Sequence, residues 1–393
     1  MPLIHQNHVE PTPPPALITF TSNFNPNHKK NKKTQFPRGS TAEVKENRAL
    51  WTEDRIQLVT THQVVVHSKE ELQSRLTHMY PNGYKEHLDE DLNVLEGEWS
   101  KAYTKIPQEL IKALEDFSIT NKEGGLVCAV WSSMPDHIQT PLFDSTRAIF
   151  GHQFQYRDSA RSKLLPFDTY HFSVYNRYAF QGKAYDPKAD PSTLQGKGAK
   201  AKNTCTFIPR HSTEIRNNPI KYGLIQQALA PVFTWIDRMV HQHLPKDWAE
   251  LKSFVDSLPG NQTSPASPFA GFVINLNVAT QVHRDWNDHS ICIVLVISDP
   301  DCEGGELVLE EPGLVLELKC GDVIVFPSSQ ISHFNLHFKG WRSSLVCHSD
   351  RHSVRWLEDF NGWVDHVLFR NQGRGVKSVS PITGLAAGKK ARY

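Results

Sequence analysis

His283 and Asp285 stand one residue apart in a turn between two apolar runs, GFVINLNV and ICIVLVIS, and His333 lies on a later run. Two imidazoles and one carboxylate are the donor set that holds non-haem Fe(II) on one face and leaves the opposite positions open. Ligands two apart on an extended segment project to the same side, so His283 and Asp285 can reach one ion. The third donor must come from a distant strand, and His333 is placed to supply it. The open positions suit the keto and near carboxylate oxygens of 2-oxoglutarate, and later O2. Arg342, on the strand after His333, offers a planar guanidinium that can grip the far carboxylate through two parallel hydrogen bonds, which a lysine cannot.

His-x-Asp alone decides nothing. The chain has 20 histidines and three such pairs, His87–Asp89, His283–Asp285 and His348–Asp350, where about one is expected by chance. His87–Asp89 sits in the charged stretch KEHLDED, which reads as a solvated helix or loop. His348–Asp350 ends the last apolar run and has no later strand to complete a site. Only His283–Asp285 lies between two strands and ahead of a further histidine. HRD also opens the catalytic loop of protein kinases, but no DFG segment follows and the surroundings are β-rich. A zinc site could use the same three donors, yet zinc hydrolases rarely pair them with a buried arginine.

The elements that must position these residues are legible from residue 270 onward. GFVINLNV, ICIVLVIS, GELVLEE, LVLEL, GDVIVFP, HFNLHF and RSSLVCHS are short apolar runs separated by turns. Their spacing predicts an antiparallel sandwich or barrel of jelly-roll type. Upstream, an amphipathic stretch lies near Glu70–Met79, and helices are expected at Pro107–Phe117 and Ile220–Leu244, the last with Pro231 inside it. Strands are expected at Leu126–Trp131 and Tyr170–Phe180. The fold class is therefore α+β, a double-stranded β-helix (jelly-roll) core with flanking helices and an N-terminal disordered leader. The organisation reads as a leader over residues 1–45, an N-terminal part of the catalytic domain over 46–260, a core over 261–370 and a tail over 371–393. Within the second part, 181–210 is a Lys/Gly-rich loop carrying Lys183, Lys188, Lys197, Lys200 and Lys202; long loops in compact domains are usually functional or disordered, so it reads as a backbone-tracking segment or a solvated insertion.

Bulk properties bound the partners. The chain has 393 residues and a formal charge of +1, so any nucleic-acid surface must be local. Lys29, Lys30, Lys32 and Lys33 form a basic cluster in the leader, readable as an import signal, a phosphate-contacting arm or a solvated charge run. The six cysteines make no CxxC pair, which argues against a zinc finger and a disulfide scaffold and for a reducing compartment. No apolar run approaches the roughly 20 residues of a membrane span. The expected location is intracellular, and nuclear if the partner is DNA.

The stretch Asn275–Ser349 resembles the Tet/JBP branch of 2-oxoglutarate/Fe(II)-dependent dioxygenases, in its fungal-type members. HRDWNDHS, GGELVL, GDVIVFPSSQISHFNLHFKGWR and SSLVCHSD carry the likeness. The resemblance implies Fe(II) on His283, Asp285 and His333, and 2-oxoglutarate on Arg342. It implies oxidation of a methyl group on a DNA base flipped into the pocket, with 5-methylcytosine going to 5-hydroxymethylcytosine and further oxidation left open. By the same likeness, Asp288 contacts the base, where an acceptor suits the cytosine amine. His348 and Asp350 take the positions of a stacking ring and a polar contact. Asn176, in SVYNRYAFQGK, matches a pocket asparagine. Animal members have an aromatic residue and then histidine where this chain has His348 and Asp350, which leaves the base open.

Three other readings stand beside this one. A hydroxylase of a protein side chain or small molecule would use the same iron chemistry. An AlkB-like demethylase would place a second arginine where His348 stands. A catalytically silent binding module would have no need of intact ligands.

Overall fold

The structure, a computed structural model, describes residues 18–22, 41–79, 103–121, 124–151, 157–158, 168–174, 209, 211–258, 264–351 and 353–359. All seven apolar runs between residues 270 and 348 contain a strand: Gly271–Leu276, Cys292–Ser298, Leu307–Leu309, Leu314–Leu316, Val323–Phe326, His333–Asn335 and Arg342–His348. They divide between two sheets. The larger has eight strands in the order Ile18–Ser22, Asp116–Asn121, Leu126–Trp131, Val323–Phe326, Cys292–Ser298, Arg342–His348, Gly271–Leu276, Thr169–Ser173. The smaller has five, in the order His333–Asn335, Leu307–Leu309, Leu314–Leu316, Tyr103–Ile106, Gln63–Val65. Pairing among the seven C-terminal strands is antiparallel throughout.

Alternation along each strand decides what each sheet face touches. On Cys292–Ser298, Ile293, Leu295 and Ile297 join a cluster with Trp235, Ile236 and Met239 of the helix Pro219–His243. Cys292 and Val296 join the opposite cluster, with Leu307, Leu309 and Leu316 of the smaller sheet. A strand buried on both faces reads as a continuous apolar run rather than an alternating one, which is why ICIVLVIS has no polar face. The helix buries Ile225, Leu229, Val232, Ile236 and Val240 along one stripe, at the spacing that keeps one helical face on the core. It starts on Pro219 and runs on through Pro231.

Three expectations need correction. Ile18–Ser22, inside the expected leader, pairs in parallel with Phe117–Asn121, and the helix Thr41–Thr61 also begins before residue 46. The helix expected over Pro107–Phe117 stops at Leu114. Glu115, at φ 57°, turns the chain, and Phe117 pairs with Val130 in the larger sheet. The strand expected over Tyr170–Phe180 is Thr169–Ser173. Residues 176–180, the loop expected over 181–210 apart from Pro209, His87–Asp89 and the Lys29–Lys33 cluster lie outside the described residues. Among the described residues no helix is long and apolar enough to cross a membrane.

Candidate functional site

The two histidines are brought together by main-chain pairing. The His283 amide donates to the His333 carbonyl at 3.1 Å, and the His333 amide donates back to the His283 carbonyl at 2.9 Å. Such a mutually bonded antiparallel pair holds its Cα atoms about 5.5 Å apart with both side chains on one side. The imidazole centroids are accordingly 4.2 Å apart. Asp285 is two residues on, its amide bonded to the Ser328 carbonyl, and its Oδ2 lies 3.6 Å from His333 Nε2. One donor atom from each of His283, Asp285 and His333 falls within 4.8 Å of the others.

The rings are also oriented for a cation. His283 Nδ1 lies 2.6 Å from the Gln281 carbonyl oxygen, and His333 Nδ1 lies 3.0 Å from that of Ile331. A carbonyl oxygen can only accept, so each Nδ1 carries a hydrogen and Nε2 is the nitrogen left to face a ligand. Burial, reinforced by the neighbouring His283, pushes the His333 imidazole down to about 4, so it is neutral at physiological pH. Two imidazoles presenting Nε2 beside a carboxylate fit a divalent metal, with the backbone carbonyls acting as the outer partners that orient such ligands.

A cavity of about 280 Å³ lies between the two sheets and reaches from this triad along the strand Arg342–His348. Arg342, Ser344, Val346 and His348 line it, while Leu345 and Cys347 face the helix-covered core. Across the sheet, Ser344 is in register with Asn275 and Asn275 with Thr169. Thr169 Oγ1 donates to Asn275 Oδ1 at 3.0 Å, and Asn275 Nδ2 donates to Ser344 Oγ at 3.4 Å. This polar row on the cavity wall escaped the sequence reading, although an asparagine inside the apolar run GFVINLNV was a signal that could have found it.

Arg342 occupies one end of the cavity. It is 7% exposed, and among the described residues no carboxylate makes an ion pair with its guanidinium. Burial lowers its pKa from the ordinary arginine range, and the nearest aromatic neighbour is the Phe338 ring, 5.9 Å away. Cys302 and Glu306 act on it electrostatically, and a buried cation without an ion-paired carboxylate is costly unless a ligand supplies the countercharge. Gly305 makes room for Arg342. At φ +76°, a Cβ on Gly305 would stand 2.9 Å from both Cδ and Nε of Arg342. Gly305→Ala is therefore expected to cost more than about 1 kcal/mol of stability from the positive φ alone. It should also displace the guanidinium, weakening whatever anion pairs with Arg342; calorimetry measures the loss of stability and a titration with small carboxylates the loss of binding.

Asp288 and His348 line the other end. Asp288 is buried, accepts a hydrogen bond from Ser328 Oγ at 2.8 Å, and lies 3.3 Å from His348 Nδ1. Burial raises its carboxyl above the usual range. Asp350 departs from expectation. The strand ends at His348, so the alternation that puts Arg342 and His348 on one side does not extend to residue 350. Asp350 instead bridges Asp288 through the main chain, is buried, and is not part of the cavity lining. Asn176 lies outside the described residues.

No family model matches the chain, and no curated protein matches it by sequence. Among solved structures it is similar to NgTET1 in complex with 5mC DNA, with a TM-score of 0.43 and 12% identity over 61% of this chain and 77% of that one. It is also similar to a 2OG-Fe(II) oxygenase family oxidoreductase from Burkholderia pseudomallei, with a TM-score of 0.20 and 26% identity over 22% of this chain and 45% of that one. A third is JOX2 in complex with 2OG, Fe and JA, with a TM-score of 0.26 and 13% identity over 63% and 75%. Likenesses this distant decide nothing about the site, which is read from its own geometry.

Proposed function

We propose that this chain is a 2-oxoglutarate- and Fe(II)-dependent dioxygenase that oxidises a methylated DNA base, with 5-methylcytosine as the first candidate. The observation that carries the reading is the combination in one cavity of two Nε2-presenting imidazoles, a carboxylate and a buried guanidinium with no ion-paired carboxylate among the described residues. A hydrolytic zinc centre would use the first three groups and has no task for the fourth. Strand order supports reading the two sheets as a jelly roll. Counting the His283 segment as the second of eight strands, the larger sheet runs first–eighth–third–sixth and the smaller second–seventh–fourth–fifth, the interleaving of two Greek keys.

His283, Asp285 and His333 would hold Fe(II), and Arg342 would take the far carboxylate of 2-oxoglutarate. The bound pair supplies oxidation of a methyl C–H by O2, with the co-substrate leaving as succinate and CO2. The protein's part is to orient and to exclude water. Val273, Val294, Val296 and Val346 give the cavity apolar walls, and the Thr169–Asn275–Ser344 row fixes side-chain positions between its two ends. Asp288 presents a carboxylate at the substrate end, an acceptor suited to the exocyclic amine of cytosine, and His348 beside it supplies a ring edge. The choice of a methylated base rests on the sequence resemblance together with this carboxylate; base flipping would deliver the methyl. A DNA substrate carries with it a nuclear location and a part for the Lys/Gly-rich 181–210 loop in phosphate contact.

The test is anaerobic reconstitution with Fe(II), then succinate release with and without methylated duplex DNA, with mass spectrometry of the nucleosides. Succinate coupled to an oxidised base is the expected result. Slow succinate release independent of DNA, with unmodified bases, would keep the dioxygenase and move the substrate to a protein side chain or small molecule. Asp288→Asn replaces an acceptor-only group by an amide; it should cut discrimination for cytosine by about 1–3 kcal/mol, roughly 5- to 150-fold in the ratio of kcat/KM values. Competition between methylated cytosine and thymine oligonucleotides measures it, and an unchanged ratio removes Asp288 from base recognition.

A further inference from the structure

Arg284 lies between two of the three metal-site residues, and alternation sends its side chain to the opposite face from theirs. There it meets a buried carboxylate. Its guanidinium pairs with Glu311, and its Nε donates to Ser332 Oγ at 2.9 Å. Glu311 also accepts from the Ser332 amide at 2.6 Å and from Ser332 Oγ at 2.7 Å. Ser332 is the residue before His333. One carboxylate thus closes a ring between the middle of the His283–Asp285 segment and the root of His333.

Glu311 is itself held. It sits in the turn between the strands Leu307–Leu309 and Leu314–Leu316, next to Glu310, and both are buried. Glu310 accepts from Tyr103 OH at 2.9 Å and lies 3.4 Å from Arg55 Nη1, on the helix Thr41–Thr61. The Glu310 amide donates to the Ser332 carbonyl at 2.9 Å. Two adjacent buried carboxylates therefore point to different tasks, one docking the N-terminal helix and one reaching the metal site from behind.

Stability is a poor explanation for such a pair. Replacing a buried ion pair by apolar residues of similar volume is commonly neutral or stabilising. What the ring does supply is geometry. The main-chain bonds of His283 with His333 and of Asp285 with Ser328 hold the two ends of the segment, and between them the Arg284 side chain ties it to the residue before His333. Arg284 anchored on Glu311 adds a side-chain brace to those main-chain bonds, between Asp285 and the root of His333.

We propose that Arg284, Glu311 and Ser332 are positioning residues that hold Asp285 and His333 in register for a divalent metal, an inference that rests on the metal reading above. The test is Co(II) titration of the purified full chain, followed by its visible ligand-field bands, alongside the melting temperature of the metal-free protein. Glu311→Gln is expected to bind Co(II) about 10- to 100-fold more weakly, the cost of losing an outer partner of a ligand. The double variant Arg284→Met/Glu311→Leu leaves no orphaned charge. It leaves the buried Ser332 amide and hydroxyl without Glu311, so its metal-free melting temperature should fall modestly, while it binds Co(II) about 10- to 100-fold more weakly with shifted bands. A double variant with parental affinity and bands overturns the proposal. Should either variant fail to fold, Ser332→Ala removes only the hydroxyl from the ring; weaker Co(II) binding upholds the proposal and parental affinity overturns it. A parent chain that binds no Co(II) defeats the metal reading itself, an outcome distinct from losses confined to the variants.

Discussion

His283→Ala and Asp285→Ala are each expected to abolish succinate formation and tight Fe(II) or Co(II) binding while leaving the fold in place. The loss should exceed the roughly 10- to 100-fold that removal of an outer partner costs, because a three-donor face keeps only two donors. The fold survives because the link between the two histidine segments is main-chain. The paired bonds of His283 and His333 and the Asp285–Ser328 bond involve no substituted side-chain atom. Metal titration with circular dichroism on the same samples checks both halves. Full turnover in either variant would remove the triad from the chemistry, and unfolding of both would show that these side chains are structural.

Arg342→Ala should raise the 2-oxoglutarate concentration for half-maximal turnover by roughly 30-fold to several thousandfold, the equivalent of the ~2–5 kcal/mol lost when one partner of a buried charge pair is truncated. Arg342→Lys keeps the charge and loses the fork, so its loss should be intermediate. Stability should move the other way. The guanidinium is desolvated, and no carboxylate among the described residues pairs with it, so Arg342→Met relieves a cost in the ligand-free protein. Its melting temperature should equal or exceed the parent's while the stabilisation conferred by added 2-oxoglutarate disappears. DNA affinity should change little; a loss on DNA as large as the loss on 2-oxoglutarate would assign Arg342 to the other ligand. A residue that costs stability until its ligand arrives belongs to a binding site rather than to a core.

These expectations come from a division of labour along one strand. Arg342–His348 turns Leu345 and Cys347 to the helix-covered core and Arg342, Ser344, Val346 and His348 to the cavity. At about 3.3 Å per residue, the six steps from Arg342 to His348 set the Arg342 end and the Asp288 end roughly 20 Å apart along the sheet. The metal-site triad faces the cavity from the opposite side, on the His283 segment and the smaller sheet. Co-substrate and substrate can therefore approach one centre from different ends of a single strand.

Sequence by itself determined the seven C-terminal strands, and it singled out His283–Asp285 and Arg342 as the candidate ligands and cation. These follow from period-two alternation, turn residues and chain order, all of which act over a few residues. Tertiary structure decided the rest, because each remaining fact depends on which distant strand lies alongside. Only the pairing of residue 283 with 333 puts the imidazoles 4.2 Å apart, and only the carbonyls of Gln281 and Ile331 fix their tautomers. Glu311 reads in the sequence as one more acid in a turn; it becomes a partner of Arg284 because the smaller sheet folds behind the site. Asp350 shows the converse. Offset counting along an extended strand aimed it into the cavity, but the strand ends at His348 and its alternation ends there too, so Asp350 bridges Asp288 instead. Gly305 reads as an ordinary turn glycine until Arg342 is seen to lie where its Cβ would stand.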